Sequence, residues 1–93
     1  MDKRKTGELL ERASARLSLP GEALAGLPKV EITGRSRLTV ENHRGLLEYT
    51  RERIEINGGR IMITVRGDSL SIRAMSADAL LIEGVVVSVE LGG

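Results

Sequence analysis

Apolar and polar side chains alternate along most of the chain from Lys29 onward. Alternation with a period of two indicates β-strands that bury one face. The alternating runs are residues 30–32, 38–40, 47–49, 54–56, 61–65, 70–72, 80–82 and 85–91. The first and last residue of each run, and every second residue between them, are predicted to face the core. The pattern predicts a mainly β fold, an antiparallel meander of seven or eight short strands in a sandwich, roll or small barrel.

Turn-forming residues separate the runs. They are Gly34-Arg35-Ser36, Asn42-His43-Arg44-Gly45, Asn57-Gly58-Gly59, Gly67-Asp68 and Glu83-Gly84. Such residues tolerate positive φ and favour hairpins between neighbouring strands. Near-regular strand spacing also suits a short β-solenoid, but we find no repeated motif of fixed length. Hairpin-type turns favour antiparallel pairing, so the solenoid is the second choice.

The segment before the strands has a helical period. Residues 1–19 predict a helix with one narrow apolar stripe, formed by Leu9, Leu10, Ala13 and Leu17. Pro20-Gly21 ends it, and a linker runs to Pro28, which divides the chain into residues 1–28 and a β-domain at residues 29–93. The helix is basic, so it either packs on the β-domain or docks on a partner, with weak peripheral contact to an anionic membrane.

Composition excludes several classes of protein. The chain has no cysteine, so disulfides and thiolate zinc sites are absent. Fourteen basic side chains against thirteen acidic ones, with a single aromatic residue, do not suit a nucleic-acid binder. The charged N-terminus lacks an apolar signal region and no run is long enough to span a membrane. We therefore expect a cytoplasmic protein.

Candidate catalytic chemistry is sparse. His43 is the only histidine and stands in a predicted turn, where it forms the turn or binds a ligand. A metal site needs several ligands, and a catalytic base needs a positioned partner, neither of which the sequence supplies. No phosphate-binding loop motif is present. We expect no enzyme activity, no metal and no cofactor. Gly45 is predicted to need a positive φ, so Gly45→Val is expected to destabilise more than His43→Ala.

Charged residues alternate outward along the strands and predict cross-strand ion pairs on a solvated surface. Leu81 and Val86 break this rule, because both fall on the face that should be polar. Their strands are either central and covered on both sides, or they expose a patch that binds a partner. If the patch is a self-association surface, lysine at both positions is expected to leave a folded monomer.

Several segments resemble one protein family. Residues 27–34 (LPKVEITG), 40–50 (VENHRGLLEYT), 54–75 (IEINGGRIMITVRGDSLSIRAM) and 79–91 (ALLIEGVVVSVEL) are similar to the YabP/YqfC family of sporulation proteins, and within it to the YqfC branch. The most specific part is Glu41-Asn42-His43-Arg44-Gly45. The resemblance implies a protein of endospore-forming bacteria that is made in the mother cell. It implies no catalytic residues.

Two functions remain open from the sequence. The first is a structural or scaffolding protein of sporulation that binds other sporulation proteins or itself, in the mother-cell cytoplasm or at the forespore surface. The second is a ligand-binding or regulatory module that uses the turn at residues 42–45. The candidate interaction residues are Glu41, Asn42, His43, Arg44, Gly45, Leu81 and Val86.

Overall fold

The computed structural model describes residues 26–93, which form six β-strands and no helix. The strands are β1 (Lys29–Thr33), β2 (Arg37–Glu41), β3 (Leu46–Tyr49), β4 (Arg53–Asn57), β5 (Met62–Met75) and β6 (Ala79–Gly92). The prediction of a mainly β, antiparallel fold is confirmed. The helix predicted for residues 1–19 lies outside the described residues, so the division of the chain at residue 28 stays a prediction.

Six strands replace the seven or eight predicted, because two of the predicted turns are kinks inside long strands. Gly67-Asp68 lies within β5 and Glu83-Gly84 within β6, and each of these strands has 14 residues. Glycine eases a sharp bend of the backbone whether or not the chain reverses direction there. The residue pattern at a kink therefore resembles the pattern at a hairpin turn.

The six strands form one sheet in the order β1-β2-β6-β5-β4-β3, and every pairing is antiparallel. Within residues 26–93 this excludes the solenoid, whose strands stack in parallel. The sheet is not a simple meander either. The connection from β2 to β3 crosses from one side of the β5–β6 hairpin to the other, so the hairpin turn predicted at residues 42–45 is wrong.

The long β5–β6 hairpin folds back on itself. A straight strand of 14 residues would span roughly 45 Å. The two ends of the hairpin nevertheless lie close together, as two hydrogen bonds show: the amides of two consecutive residues donate to carbonyls at opposite ends of the hairpin. The amide of His43 donates to the carbonyl of Asp78 at 3.2 Å, and the amide of Arg44 donates to the carbonyl of Asn57, beside the start of β5, at 2.7 Å. The sheet is therefore folded into two facing layers.

We name the two layers by their strands. Layer A contains β1, β2, residues 79–83 of β6 and residues 71–75 of β5. Layer B contains β3, β4, residues 62–66 of β5 and residues 88–92 of β6. Each layer thus has four strands, and the β5–β6 hairpin belongs to both.

Two glycines allow the hairpin to kink. A Cβ atom on Gly67 would collide with the carbonyl oxygen of Val85, and one on Gly84 would lie 2.6 Å from the carbonyl oxygen of Ser69. Gly84 also has a φ of 139°, which side chains disfavour. Register shifts between β5 and β6 flank both positions. The backbones of the two strands therefore approach each other where only glycine fits.

Each kink is held by the turn of a neighbouring hairpin. The turn between β1 and β2 supplies two carbonyls to the kink in β6, and the turn between β3 and β4 supplies two to the kink in β5. The bonds are Gly84 to Ser36 at 3.2 Å, Val86 to Arg35 at 2.7 Å, Gly67 to Glu52 at 3.0 Å and Leu70 to Arg51 at 2.8 Å, with the amide of the first residue donating in each pair. The two layers are thus related by an approximate two-fold arrangement.

A weak sequence repeat underlies this symmetry. Residues 35–40 read RSRLTV and residues 51–56 read RERIEI, 16 positions later. Leu38 faces Ile82 in layer A, as Ile54 faces Val65 in layer B. Only the two arginines of the six positions are identical, which hides the repeat from inspection of the sequence.

The core lies between the layers. Its buried apolar residues are Leu38, Val40, Ile54, Ile56, Ile63, Val65, Leu70, Leu80, Ile82 and Val86. Nine of these ten occupy positions that the alternation predicts to face inward. Burial of each such side chain contributes on the order of 1.5–3 kcal/mol, so these positions supply most of the stabilisation of the fold.

Predicted inward positions that are exposed instead lie on edge strands, as Ile32, Tyr49 and Leu91 do, or near register shifts. Leu47 was predicted to face the core but is 54% exposed, and Leu46 packs on the core instead, beside a shift between Leu46 and Glu48. Val85 and Val87 were also predicted inward, yet both are exposed, whereas Val86 is buried. The sequence pattern predicted a turn at Glu83-Gly84 and a new strand after it, with odd-numbered residues facing inward. The strand in fact continues through Gly84, so even-numbered positions remain inward as far as Val86.

Outward-facing charges form the predicted ion pairs. Arg53 contacts Glu48 at 3.1 Å and Glu55 at 3.4 Å, and Arg66 contacts Glu90 at 3.0 Å across β5 and β6. In layer A, the carboxylate of Glu83 joins Arg37 and Arg73, each at 3.0 Å. All of these side chains are at least partly exposed, so each pair stabilises the fold by about 0.2–1 kcal/mol at most.

Candidate functional site

The segment 41–45 lies at the end of the molecule where the two layers meet. It leaves β2 at Glu41 and enters β3 after Gly45. Asn42 adopts a left-handed conformation with φ of 63°, and Gly45 has φ of 133°, which confirms the positive φ predicted there. These two residues turn the chain across the end of the β5–β6 hairpin, so the segment joins layer A to layer B.

His43 is buried, contrary to its predicted place in a polar turn. Its side chain is 5% exposed, and its Nδ1 atom accepts a hydrogen bond from the amide of Gly45 at 3.0 Å. An accepting Nδ1 carries no proton, so the hydrogen-bond network assigns the ring proton to Nε2. Nε2 is itself buried and has no partner among the described residues. His43 therefore folds its own loop inward.

Other contacts of the segment tie together distant parts of the chain. The side-chain amide of Asn42 donates to the carbonyl of Leu27 at 3.1 Å. The amide of Asn57, at the end of β4, donates to the carbonyl of Gly45 at 2.9 Å. The guanidinium group of Arg44 lies beside Gly59, where an added Cβ would stand 3.1 Å from Nε. Segment 41–45 is thus a structural junction in addition to being a candidate interaction surface.

Burial of His43 revises its expected contribution to stability. His43→Ala is expected to lower the free energy of unfolding by roughly 1–3 kcal/mol, because it removes a packed ring and leaves the Gly45 amide without its acceptor. This is comparable with the roughly 1–3 kcal/mol expected for Gly45→Val, which introduces strain at positive φ into otherwise open space.

A matched variant separates the hydrogen bond from the packing. Asparagine at position 43 can offer its side-chain oxygen to the amide two residues later. His43→Asn is therefore expected to recover about 1 kcal/mol relative to His43→Ala in urea unfolding. Equal stability of the two variants would show that the Nδ1 bond contributes nothing.

An open groove lies next to this junction. It has a volume of about 310 Å³, and its lining is mostly apolar. The lining residues are Thr39, Val40, Glu41, Ala74, Met75, Ser76, Ala79, Leu80 and Leu81. Two predicted interaction residues from different parts of the chain, Glu41 and Leu81, therefore meet in one groove. Met75, which is 59% exposed, was missed by sequence reasoning because a register shift between Ile72 and Ala74 disrupts the alternation before it.

The predicted pairing of Leu81 with Val86 is not observed. Leu81 is half-buried on the outer face of layer A, between Thr39 of β2 and Ala74 of β5. Val86 is 7% exposed and belongs to the core. The two strands predicted to carry these residues are one strand, β6, which pairs on both sides only where it belongs to layer A. Val86 is therefore removed from the candidate site.

The charge at the groove comes from Glu41. Lys29 lies opposite Glu41 on β1 but holds Glu31 at 2.7 Å. The hydrogen bond to Glu31, together with the charges of Glu31 and Glu41, raises the pKa of Lys29. Glu41 makes no ion pair of its own among residues 26–93. Within the described part of the chain, its carboxylate is therefore available to a cation at the groove.

Two further findings concern metal binding and membrane spanning in the described region. Residues 26–93 bring together no group of three or more histidine, aspartate or glutamate side chains with the spacing of a metal site. The same residues contain no helix that is long and apolar enough to cross a membrane.

A sequence profile matches the whole of the described region. The YabP family profile covers residues 26–93. The chain belongs to the YabP family. The resemblance seen in segments such as residues 40–50 is thereby confirmed. The part of the chain that the YabP family defines includes all six strands, the junction at residues 41–45 and the groove.

The chain is also similar to a bacterial relative over most of its length. The "Uncharacterized protein YqfC" of Bacillus subtilis (strain 168) is 27% identical over 70 residues, which is 75% of this chain and 75% of the relative. No solved structure matches the chain. The name of this relative assigns it no activity.

Proposed function

We propose that this chain is a non-catalytic sporulation protein that acts in the mother cell as a scaffolding or protein-interaction module. Membership of the YabP family supports the biological setting. The groove beside the junction carries the proposal, because it exposes apolar side chains next to the segment that most specifically resembles the family. The protein would act in the cytoplasm of the mother cell or at the forespore surface.

The groove is suited to a segment of another protein. Leu81, Ala74 and Met75 give it an apolar floor, and exposed apolar surface of this kind is typical of interaction sites. Glu41 lies at the rim without an ion pair among the described residues. We therefore propose that the groove binds an extended apolar segment followed by a lysine or arginine of a second sporulation protein. The apolar contact supplies affinity, and the carboxylate selects the orientation.

The burial of His43 supports an interaction module over an enzyme or a ligand-binding turn. A general base must reach the proton that it abstracts. In the described residues, Nδ1 of His43 is engaged by the Gly45 amide and Nε2 has no contact with solvent. A ligand bound at residues 42–45 would meet the backbone and Arg44 rather than the imidazole. No observation favours this second function over the first.

Replacing Leu81 tests the proposal. Leu81→Glu is expected to reduce capture of a specific partner from sporulating cells by at least about tenfold, since a charge in an apolar site opposes binding by more than about 1.4 kcal/mol. Partners are quantified by mass spectrometry with the tagged full-length chain as bait. Thermal unfolding checks that the variant is folded.

Leu47→Glu is the matched control. Leu47 is an exposed leucine on β3, away from the groove. The Leu47→Glu chain is expected to capture the same partner as the unmodified chain. A set of captured proteins that is identical for all three baits would contradict the assignment of the groove.

A further inference from the structure

The two layers have four outer strand edges, and the structure protects three of them. An open edge presents unpaired backbone groups that can bind another strand. The edges of layer A are β1 and residues 71–75 of β5, and those of layer B are β3 and residues 88–92 of β6. The edge formed by β6 in layer B is less protected than the other three.

Three edges carry recognisable safeguards. β1 has five residues and bears the Lys29–Glu31 ion pair. β3 has four residues and is interrupted by the register shift after Leu46. On residues 71–75, the amide of Ile72 donates to the hydroxyl oxygen of Tyr49 at 3.1 Å. Charges, short length, irregular register and side-chain cover each discourage pairing with another chain.

After Val86, the edge of β6 has no turn or side-chain cover among the described residues, and its one charged residue, Glu90, is paired with Arg66 of β5. The turn between β1 and β2 covers this edge only as far as the bond from Val86 to Arg35. The counterpart of Tyr49, 16 positions earlier, is Thr33, whose side chain makes no hydrogen bond to β6 in the described region. From residue 88 onward, β6 keeps a regular register with β5. The open edge therefore consists of residues 87–91.

The sequence of this edge is well suited to pairing. It reads Val-Ser-Val-Glu-Leu, with no proline, glycine or lysine. Its apolar residues stand at positions 87, 89 and 91, and Val87 and Leu91 are 67% and 64% exposed. Alternation with exposed apolar residues on a free edge is the arrangement that soluble proteins usually avoid. Its presence here points to a partner strand.

We propose that residues 87–91 pair antiparallel with the same residues of a second copy, about a two-fold axis at Val89. This register places Val87 opposite Leu91 and Ser88 opposite Glu90, so that apolar residues meet apolar ones. A register shifted by one residue would place Val89 opposite Ser88 or Glu90, and one shifted by two residues would place Glu90 opposite Glu90 or Ser88 opposite Ser88. The self-complementary register selects a second copy as the occupant and joins two copies of layer B into one sheet of eight strands.

The mass of the full-length protein in solution tests the dimer. Light scattering over a roughly hundredfold range of concentration is expected to approach twice the 10.1 kDa mass of one chain. Val87→Lys is expected to give a folded monomer, and Leu91→Lys serves as a second variant if the first fails to fold. Val85→Lys is the control on the same strand, and it is expected to remain dimeric because its position is before the open edge. A wild-type monomer throughout, or a dimer that survives both edge variants, would overturn the proposal.

Cysteine pairs test the register. The chain has no cysteine, so each introduced thiol is unique. Chains with Ser88→Cys mixed with chains with Glu90→Cys are expected to form several-fold more disulfide-linked dimer than either variant alone. Equal cross-linking in the unmixed samples would overturn the register. Leu81→Glu is expected to remain dimeric, so loss of groove binding and loss of dimerisation can be told apart.

Discussion

Gly67→Ala is expected to lower the free energy of unfolding by roughly 3 kcal/mol or more. A Cβ at this position would collide with the carbonyl oxygen of Val85, which is backbone and cannot rotate away. Relief of the collision requires β5 and β6 to separate at the kink, and the bond from Gly67 to Glu52 would be lost with it. Urea unfolding followed by circular dichroism measures the effect.

Gly92→Ala is the control for this substitution. Gly92 lies in β6, the partner strand of β5, but a Cβ there meets nothing within 4 Å and its φ is not in the left-handed region. Its stability is expected to stay within about 0.5 kcal/mol of the wild type. If both alanine variants are equally stable, the close approach of the strands at Gly67 is wrong, and so is the folded-back hairpin.

Val86→Lys is expected to prevent folding or to destabilise the protein by more than about 3 kcal/mol. The side chain belongs to the core, and an unpaired ammonium group there loses its hydration without gaining a partner. Leu81→Lys is expected to cost about 1 kcal/mol or less, because the lysine stem can lie along the groove with its charge in solvent. Thermal unfolding of the two single variants measures the contrast.

This contrast reverses the expectation drawn from the sequence. The pattern placed Leu81 and Val86 together on an outward face, where lysine at both positions would leave a folded monomer. With Val86 in the core, the double variant is expected to be unfolded. A folded Val86→Lys chain would show that Val86 faces outward, as the sequence pattern predicted. The inward-facing positions of β6 would then change from even to odd numbers before Val86.

Local patterns in the sequence were sufficient for the regular parts of the fold. Leu38 and Val40, or Ile54 and Ile56, alternate cleanly because their strands are short and have no bulge. The outward ion pairs follow from the same period. The family could also be recognised from the sequence, since residues 40–50 are specific to it, and the family profile confirms the assignment.

Features that depend on long-range contacts were not predictable in the same way. The burial of His43 requires the carbonyls of Asn57 and Asp78 to lie close together at one end of the molecule. No local sequence pattern predicts that these two residues are close in space. Gly67 and Gly84 looked like turn residues because a kink and a turn need the same backbone freedom. The groove was found only in part, since Leu81 was visible as an anomaly but Met75 followed a register shift.

Site-specific photo-cross-linking tests the proposed interaction module most directly. A photoreactive amino acid replaces Ala74 in the groove of the full-length chain, and a second variant carries it at Leu47 on β3. Both variants are expressed in sporulating cells and illuminated. The account predicts an adduct with one second protein at position 74 that is absent at position 47. No adduct at position 74, the same adducts at both positions, or an adduct of the chain with itself at position 74 would contradict it.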